Sequence, residues 1–128
     1  MPYGGNDWLA LTQEPVLEPE LPICDPHHHF WDFRTGRIPR FGFDWHLRDQ
    51  PVGSEELAAQ IAPLMSYCIE QFGPDRCMFE SNFPVDKVSF SYPVLFNAFK
   101  RFSKGYSALE RAALFHDTAT RAYRIALG

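Results

Sequence analysis

Residues 76–84 read RCMFESNFP, and the fold class turns on them. A short apolar run between a helix stop and a proline is the pattern of a buried strand, so the reading is a strand from Arg76 to about Glu80 that enters a loop at Pro84. Upstream, Leu57, Ile61, Leu64, Met65, Cys68, Ile69 and Phe72 recur at helical spacing. Ser54 suits the N-cap, Glu55 and Glu56 suit the positive end of the dipole, Pro63 predicts a kink, and Gly73-Pro74 predicts the stop. Downstream, a helix is predicted from about Ser91 to Phe102, with Pro93 tolerated in its first turn. Ser107 and Glu110 form a capping-box pattern that opens a last helix, predicted to break at Asp117-Thr118 and resume to Ile125.

A second strand is predicted in residues 21–32, LPICDPHHHFWD. Pro22 and Pro26 forbid a helix, while Ile23, Phe30 and Trp31 favour extended backbone ending near the histidines. Residues 33–53 hold Gly36, Pro39, Gly42, Pro51 and Gly53 without a steady period and read as a long loop. Residues 1–20 read as an extended acidic lead-in. The order is strand, long loop, helix, strand, helix, helix, which is an α/β pattern.

On a strand, His27 and His29 would share a face with Asp25, and His28 would point away. Two imidazoles so placed can reach one divalent ion, but a zinc site usually has three or four protein ligands. The residues themselves leave two readings open, a metal pair or histidines hydrogen-bonded in a strand or turn. A purification tag does not fit a run inside the chain.

The chain of 128 residues is the size of one domain, and 45% apolar and 16% aromatic residues exclude a disordered polymer. A formal charge of −4 argues against nucleic-acid and anionic-membrane partners. The local run Arg34, Arg37, Arg40 and Arg48 reads as a solvated loop. No signal-peptide pattern and no bilayer-length apolar run are visible, and Cys24, Cys68 and Cys77 lack CxxC spacing. Reduced thiols in a cytoplasmic protein are the expectation, and no Cys/His quartet supports a structural zinc module.

Three stretches together resemble one family. ICDPHHHFWD is similar to the DxHxHxW opening of the amidohydrolase-related, metal-dependent hydrolases. FGPDRCMFESNFPVDK resembles their closing signature, and ALFHDTATRAYRI resembles their C-terminal helix. The resemblance implies a (β/α)₈ (TIM) barrel, hydrolysis of small lactones, esters or carboxylated compounds, and a divalent metal, zinc in the first instance. It implies that His27 and His29 are metal ligands. Asn82 falls where the family usually has an Asp that binds metal and takes a proton from water, and Glu80 falls where Gly is common. An amide has no useful basicity, so Glu80 and Asp86 become candidates for the catalytic base beside Asn82.

A complete barrel needs about 250 residues. The expectation is therefore a partial barrel with the first and last strand regions and the C-terminal helices: a first-strand segment at 21–33, a join near 34–41, and the closing segment over 42–127. Two functions follow. One is a lactonase-like hydrolase acting on a small molecule. The other is an inactive, truncated remnant that binds metal or self-associates to cover its sheet edges. The other candidates have structural readings: His46 as a loop histidine, His116 as a helix-end partner, Arg76 as an ion-pair former, Cys24 and Cys77 as small buried residues.

Overall fold

The computed structural model describes residues 6–27, 50–81, 83 and 89–125. Its regular elements are α1 (Asn6–Leu9), α2 (Ser54–Phe72), α3 (Tyr92–Phe102), α4 (Ala108–Ala112) and α5 (Thr118–Ala122), with single 3₁₀ turns at Pro74–Arg76 and Ser103–Gly105. Between α4 and α5, Ala113–Asp117 form a π turn, so these three pieces make one continuous helix where a break was expected.

The helices form for the reasons visible in the residues. In α2 the apolar stripe buries Leu57, Ile61 and Ile69, and the helix continues through Pro63. It stops at Gly73, whose φ of 83° is open to glycine at little cost, and whose N–H donates to Ile69 O at 2.8 Å. Ser91 caps α3 by accepting from Val94 N, and Pro93 occupies the first turn. The Ser107–Glu110 capping box is fully formed. Ser54 is the first residue of α2 rather than its cap. Its N–H is met by the Glu14 carboxylate at 3.2 Å, an anion delivered to the helix start by the lead-in.

α2 and α3 pack against each other, and Val94 through Lys100 are all buried. Phe79 lies at the centre, stacked on Phe99 at 4.5 Å between ring centroids and edge-on to Phe115 at 4.8 Å. Rings so arranged contribute beyond their buried area.

The expected α/β class is corrected here. Among the described residues there is no strand, so the chain is not a partial (β/α)₈ barrel with first and last strand regions. Residues 77–81 and 22–26 lack helical turns, as the prolines and apolar runs suggested, but they form no ladder. A ladder needs a neighbouring backbone that offers donors and acceptors in register. Phe79 N–H instead donates to Leu114 O, and Cys24 N–H to Phe115 O, each at 2.8 Å. Those carbonyls sit in the π turn, where Thr118 N–H bonds five residues back to Ala113 O. The displaced register leaves acceptors that an α-helix would use internally, and the two extended segments take them.

The lead-in is bound to the body. Trp8 is buried, and Thr12 Oγ1 donates to Pro51 O at 2.7 Å. The fully buried Asn97 amide donates to Glu14 Oε1 and Pro15 O, and accepts from Leu17 N–H, all at 2.8 Å. Buried Lys100 donates to Leu17 O, and Arg111 grips both oxygens of Glu18 at 2.8 and 2.6 Å. A buried amide and ammonium are costly without partners, and the lead-in supplies them. Burial would raise the Glu14 carboxyl, yet the bonds from Ser54 and Asn97 outweigh it and hold Glu14 below the usual range.

Candidate functional site

Asp25 follows Cys24, whose N–H is fixed to the π turn. Its carboxylate is a hub. Oδ1 accepts from His27 N–H at 3.1 Å and Ser81 N–H at 2.8 Å; Oδ2 accepts from the Ser81 hydroxyl and from Tyr92 OH at 3.2 Å. All four acceptor positions of the carboxylate are thereby used. The loop bond from Asp25 to a backbone N–H two residues on is the Asx-turn pattern. It helps hold His27 at φ 48°, a left-handed conformation uncommon for residues other than glycine.

The His27 ring is anchored from the other segment. Nδ1 lies 2.8 Å from Ser81 O, and a carbonyl only accepts, so Nδ1 carries the proton in this bond. In the neutral ring the lone pair then resides on Nε2. Metal-binding histidines are oriented in this way, by donating the other ring N–H to a carbonyl or carboxylate. Tyr123 OH donates to Pro26 O at 3.2 Å and closes the turn from the C-terminal side.

Tyr92 stands at the start of α3 with its ring edge-on to Phe83 at 5.1 Å. Burial, with the Asp25 charge and hydrogen bond behind it, pushes its phenol up to about 12. Tyr92 thus stays a neutral donor to Asp25 throughout the physiological range.

The structure joins His27 and Asp25 to the segment that holds Glu80. Glu80 is half-buried between buried Phe79 and buried Ser81. His29, Asn82, Asp86 and His46 lie outside the described residues, as does the basic run from Arg34 to Arg48. His116 pairs with its neighbour Asp117 at 2.9 Å, and exposed Arg76 belongs to the 3₁₀ turn after α2. None of the three cysteines is in a disulfide. Ser81 and Tyr92 are hydrogen-bond partners of Asp25 that the sequence reading missed. Tyr92 reads as helix start, and nothing in its spacing points to Asp25.

The donor set can be tested for a metal on these contacts. The His27 tautomer fits a ligand role. The Asp25 carboxylate, with four bonds already made, does not fit as one. Among the described residues no three His, Cys, Asp or Glu side chains gather where an ion could sit. Among them, too, no helix is long and apolar enough to cross a membrane.

Comparison with known proteins bears on the second half of the chain. The amidohydrolase family model matches residues 51–125, more than half of the chain. Over 65 residues the chain is 52% identical to the uncharacterized protein y4mH of Sinorhizobium fredii (strain NBRC 101917 / NGR234). That match takes in 51% of this chain and 22% of y4mH, so the chain spans well under half the length of that relative. No solved structure matches. The stretch matched by the family holds α2 to α5 and Ser81, while Asp25 and His27 lie before it.

Proposed function

The chain belongs to the amidohydrolase family, and on that premise we propose that it carries part of a metal-assisted hydrolase centre for a small lactone, ester or related carboxylated compound. The observation that carries this reading is the 2.8 Å contact between His27 Nδ1 and Ser81 O. It ties the opening motif to the closing signature, and it supports the ligand reading because metal-binding histidines commonly donate their other ring N–H in this way.

His27 and His29 would hold the ion. When bound, a divalent ion supplies Lewis acidity and lowers the pKa of water that it binds. The chain's own residues have separate tasks. Ser81 O fixes the tautomer of His27, Asp25 fixes the turn that presents it, and Tyr92 holds Asp25. Glu80, beside Ser81, is the proton acceptor we favour, with Asp86 second. Asn82 serves as a hydrogen-bonding group, because an amide does not take the proton. Residues 21–33 and 42–127 are the two family segments, joined near 34–41.

The second reading is an inactive remnant that self-associates. The saturated Asp25 carboxylate and the exposed Leu109 (84%) and Tyr67 (62%) side chains favour it.

A thermal melt of the full chain with zinc and with a chelator separates the readings. Binding to the folded state stabilises it by about 2.7 kcal/mol at a hundredfold excess over Kd. The expected result is a midpoint that rises with zinc and loses that rise in His27→Ala. A midpoint indifferent to zinc removes the metal reading and leaves the remnant.

A further inference from the structure

A second cluster of ligating atoms, which does not include His27, borders the C-terminal half of α2. Met65 and Cys68 are three residues apart, so they are neighbours on one helix face. The extended segment after the 3₁₀ turn crosses that face, and Cys77 Sγ–H donates to Cys68 O at 3.6 Å. Met65, Cys68, Cys77 and Met78 all line one hollow of about 370 Å³, walled by apolar groups such as Phe79 and Leu114. The whole chain has three cysteines and three methionines, so most of its sulfur borders this one space. Sulfur side chains are common core filler. Cys77 and Met65 do pack against the core, but both thiols are only half-buried and also border an open hollow.

We propose that Cys68, Cys77 and Met65 form a binding site for a soft monovalent metal ion of the copper(I) class, with Met78 as a further sulfur in its wall. Thiolate and thioether ligands select such ions. Among the described residues no imidazole or carboxylate lines the hollow, which argues against calcium, magnesium and a standard zinc site. On binding, two metal–sulfur bonds form to the cysteines as their two S–H bonds break, and both protons pass to solvent. The ion keeps its oxidation state, and the resulting pair of thiolates with one cation carries a single negative charge. Arg76, which lines the same hollow, offsets that charge. Burial pushes the Cys77 thiol up, so it enters as a neutral thiol whose proton the metal displaces.

The test is an anaerobic titration of the reduced full chain with copper(I) held by a coloured chelator, bathocuproine disulfonate. The chain should withdraw one equivalent. Cys68→Ser with Cys77→Ser should abolish that withdrawal. Met65→Leu should weaken it on the order of tenfold, the range seen when a group supporting a metal site is lost. Cys24→Ser and His27→Ala should leave it unchanged, which separates this site from the histidine motif. Undiminished binding in the double variant overturns the proposal, as does its loss in Cys24→Ser or His27→Ala. Should the double variant unfold, silver(I) protection of the unaltered chain from a thiol-alkylating reagent reads the same site. Cys68 and Cys77 should be shielded and Cys24 alkylated; equal shielding of all three, or of none, overturns the proposal.

Discussion

The N-terminus of α4 and the extended stretch 77–81 satisfy their backbones in opposite ways. At α4, Ser107 and Glu110 are three residues apart and exchange side-chain-to-backbone bonds at 2.9 and 3.1 Å. Every partner is local. In 77–81, Phe79 N–H reaches Leu114 O in the π turn, and Ser81 N–H reaches Asp25, 56 residues away. A local bond stabilises its own turn. A distant bond holds two parts of the molecule together, so its loss should be felt by the whole fold.

The strongest way to break that contrast is Phe79→Ala. The ring is 2% exposed, stacked on Phe99 and edge-on to both Phe102 and Phe115. Removing it should cost about 3–5 kcal/mol, the range for emptying an aromatic site in a core. Urea unfolding followed by far-UV circular dichroism measures it. A loss under about 1 kcal/mol would mean that the segment lies on the fold rather than inside it.

Asp25→Asn comes next and tests the distant bonds without changing volume. An amide keeps one acceptor oxygen and puts an NH2 donor in place of the other. Either the bonds from His27 and Ser81 N–H or those from the Ser81 and Tyr92 hydroxyls are therefore lost, and a cost of about 2 kcal/mol is expected. The variant also has a pH signature. Tyr92 is raised in the fold from 10.0 to about 12, so the fold favours its neutral form. That contribution is complete below pH 10 and is lost as pH rises through about 12. Without the Asp25 charge only burial raises the phenol, so its tyrosinate absorbance should appear at lower pH than in the parent chain. An unchanged titration would mean that burial alone sets Tyr92.

The same contrast explains what could be read beforehand. The stop at Gly73-Pro74, the start of α3 near Ser91 and the Ser107 box lie within one turn of what they control, and each stands where the residues placed it, Ser91 being the cap rather than the first helical residue. The cap of α2 did not, because its anion is Glu14, 40 residues upstream. The extended character of 77–81 was readable, but a strand is defined by its partner, and the partner here is a helix carbonyl. His27 was readable as a ligand candidate because DxHxH is a short motif. The Asp25–Ser81–Tyr92 network was not, since two of its three members carry no local mark of their role. The π turn was hidden for a similar reason: Ala113 to Asp117 fit an ordinary helix, and the N–H groups that take its carbonyls come from Cys24 and Phe79, far away in the chain.

Ser107→Ala should have the smallest effect, and its smallness is the point. The cap satisfies one N–H of α4, that of Glu110, and Ser107 itself is exposed. Its removal should cost about 0.5–1 kcal/mol, the usual range for a lost N-cap. Water can take over the freed N–H, since nothing encloses it. Amide hydrogen exchange should therefore quicken in the first turn of α4 and remain slow at Phe79 and Ser81. Exchange that quickened at Phe79 as well would show that the α4 cap and the π turn open together. The contrast between local and distant bonds would then fail at the place where the two regions join, because the carbonyl that holds Phe79 belongs to the helix that Ser107 begins.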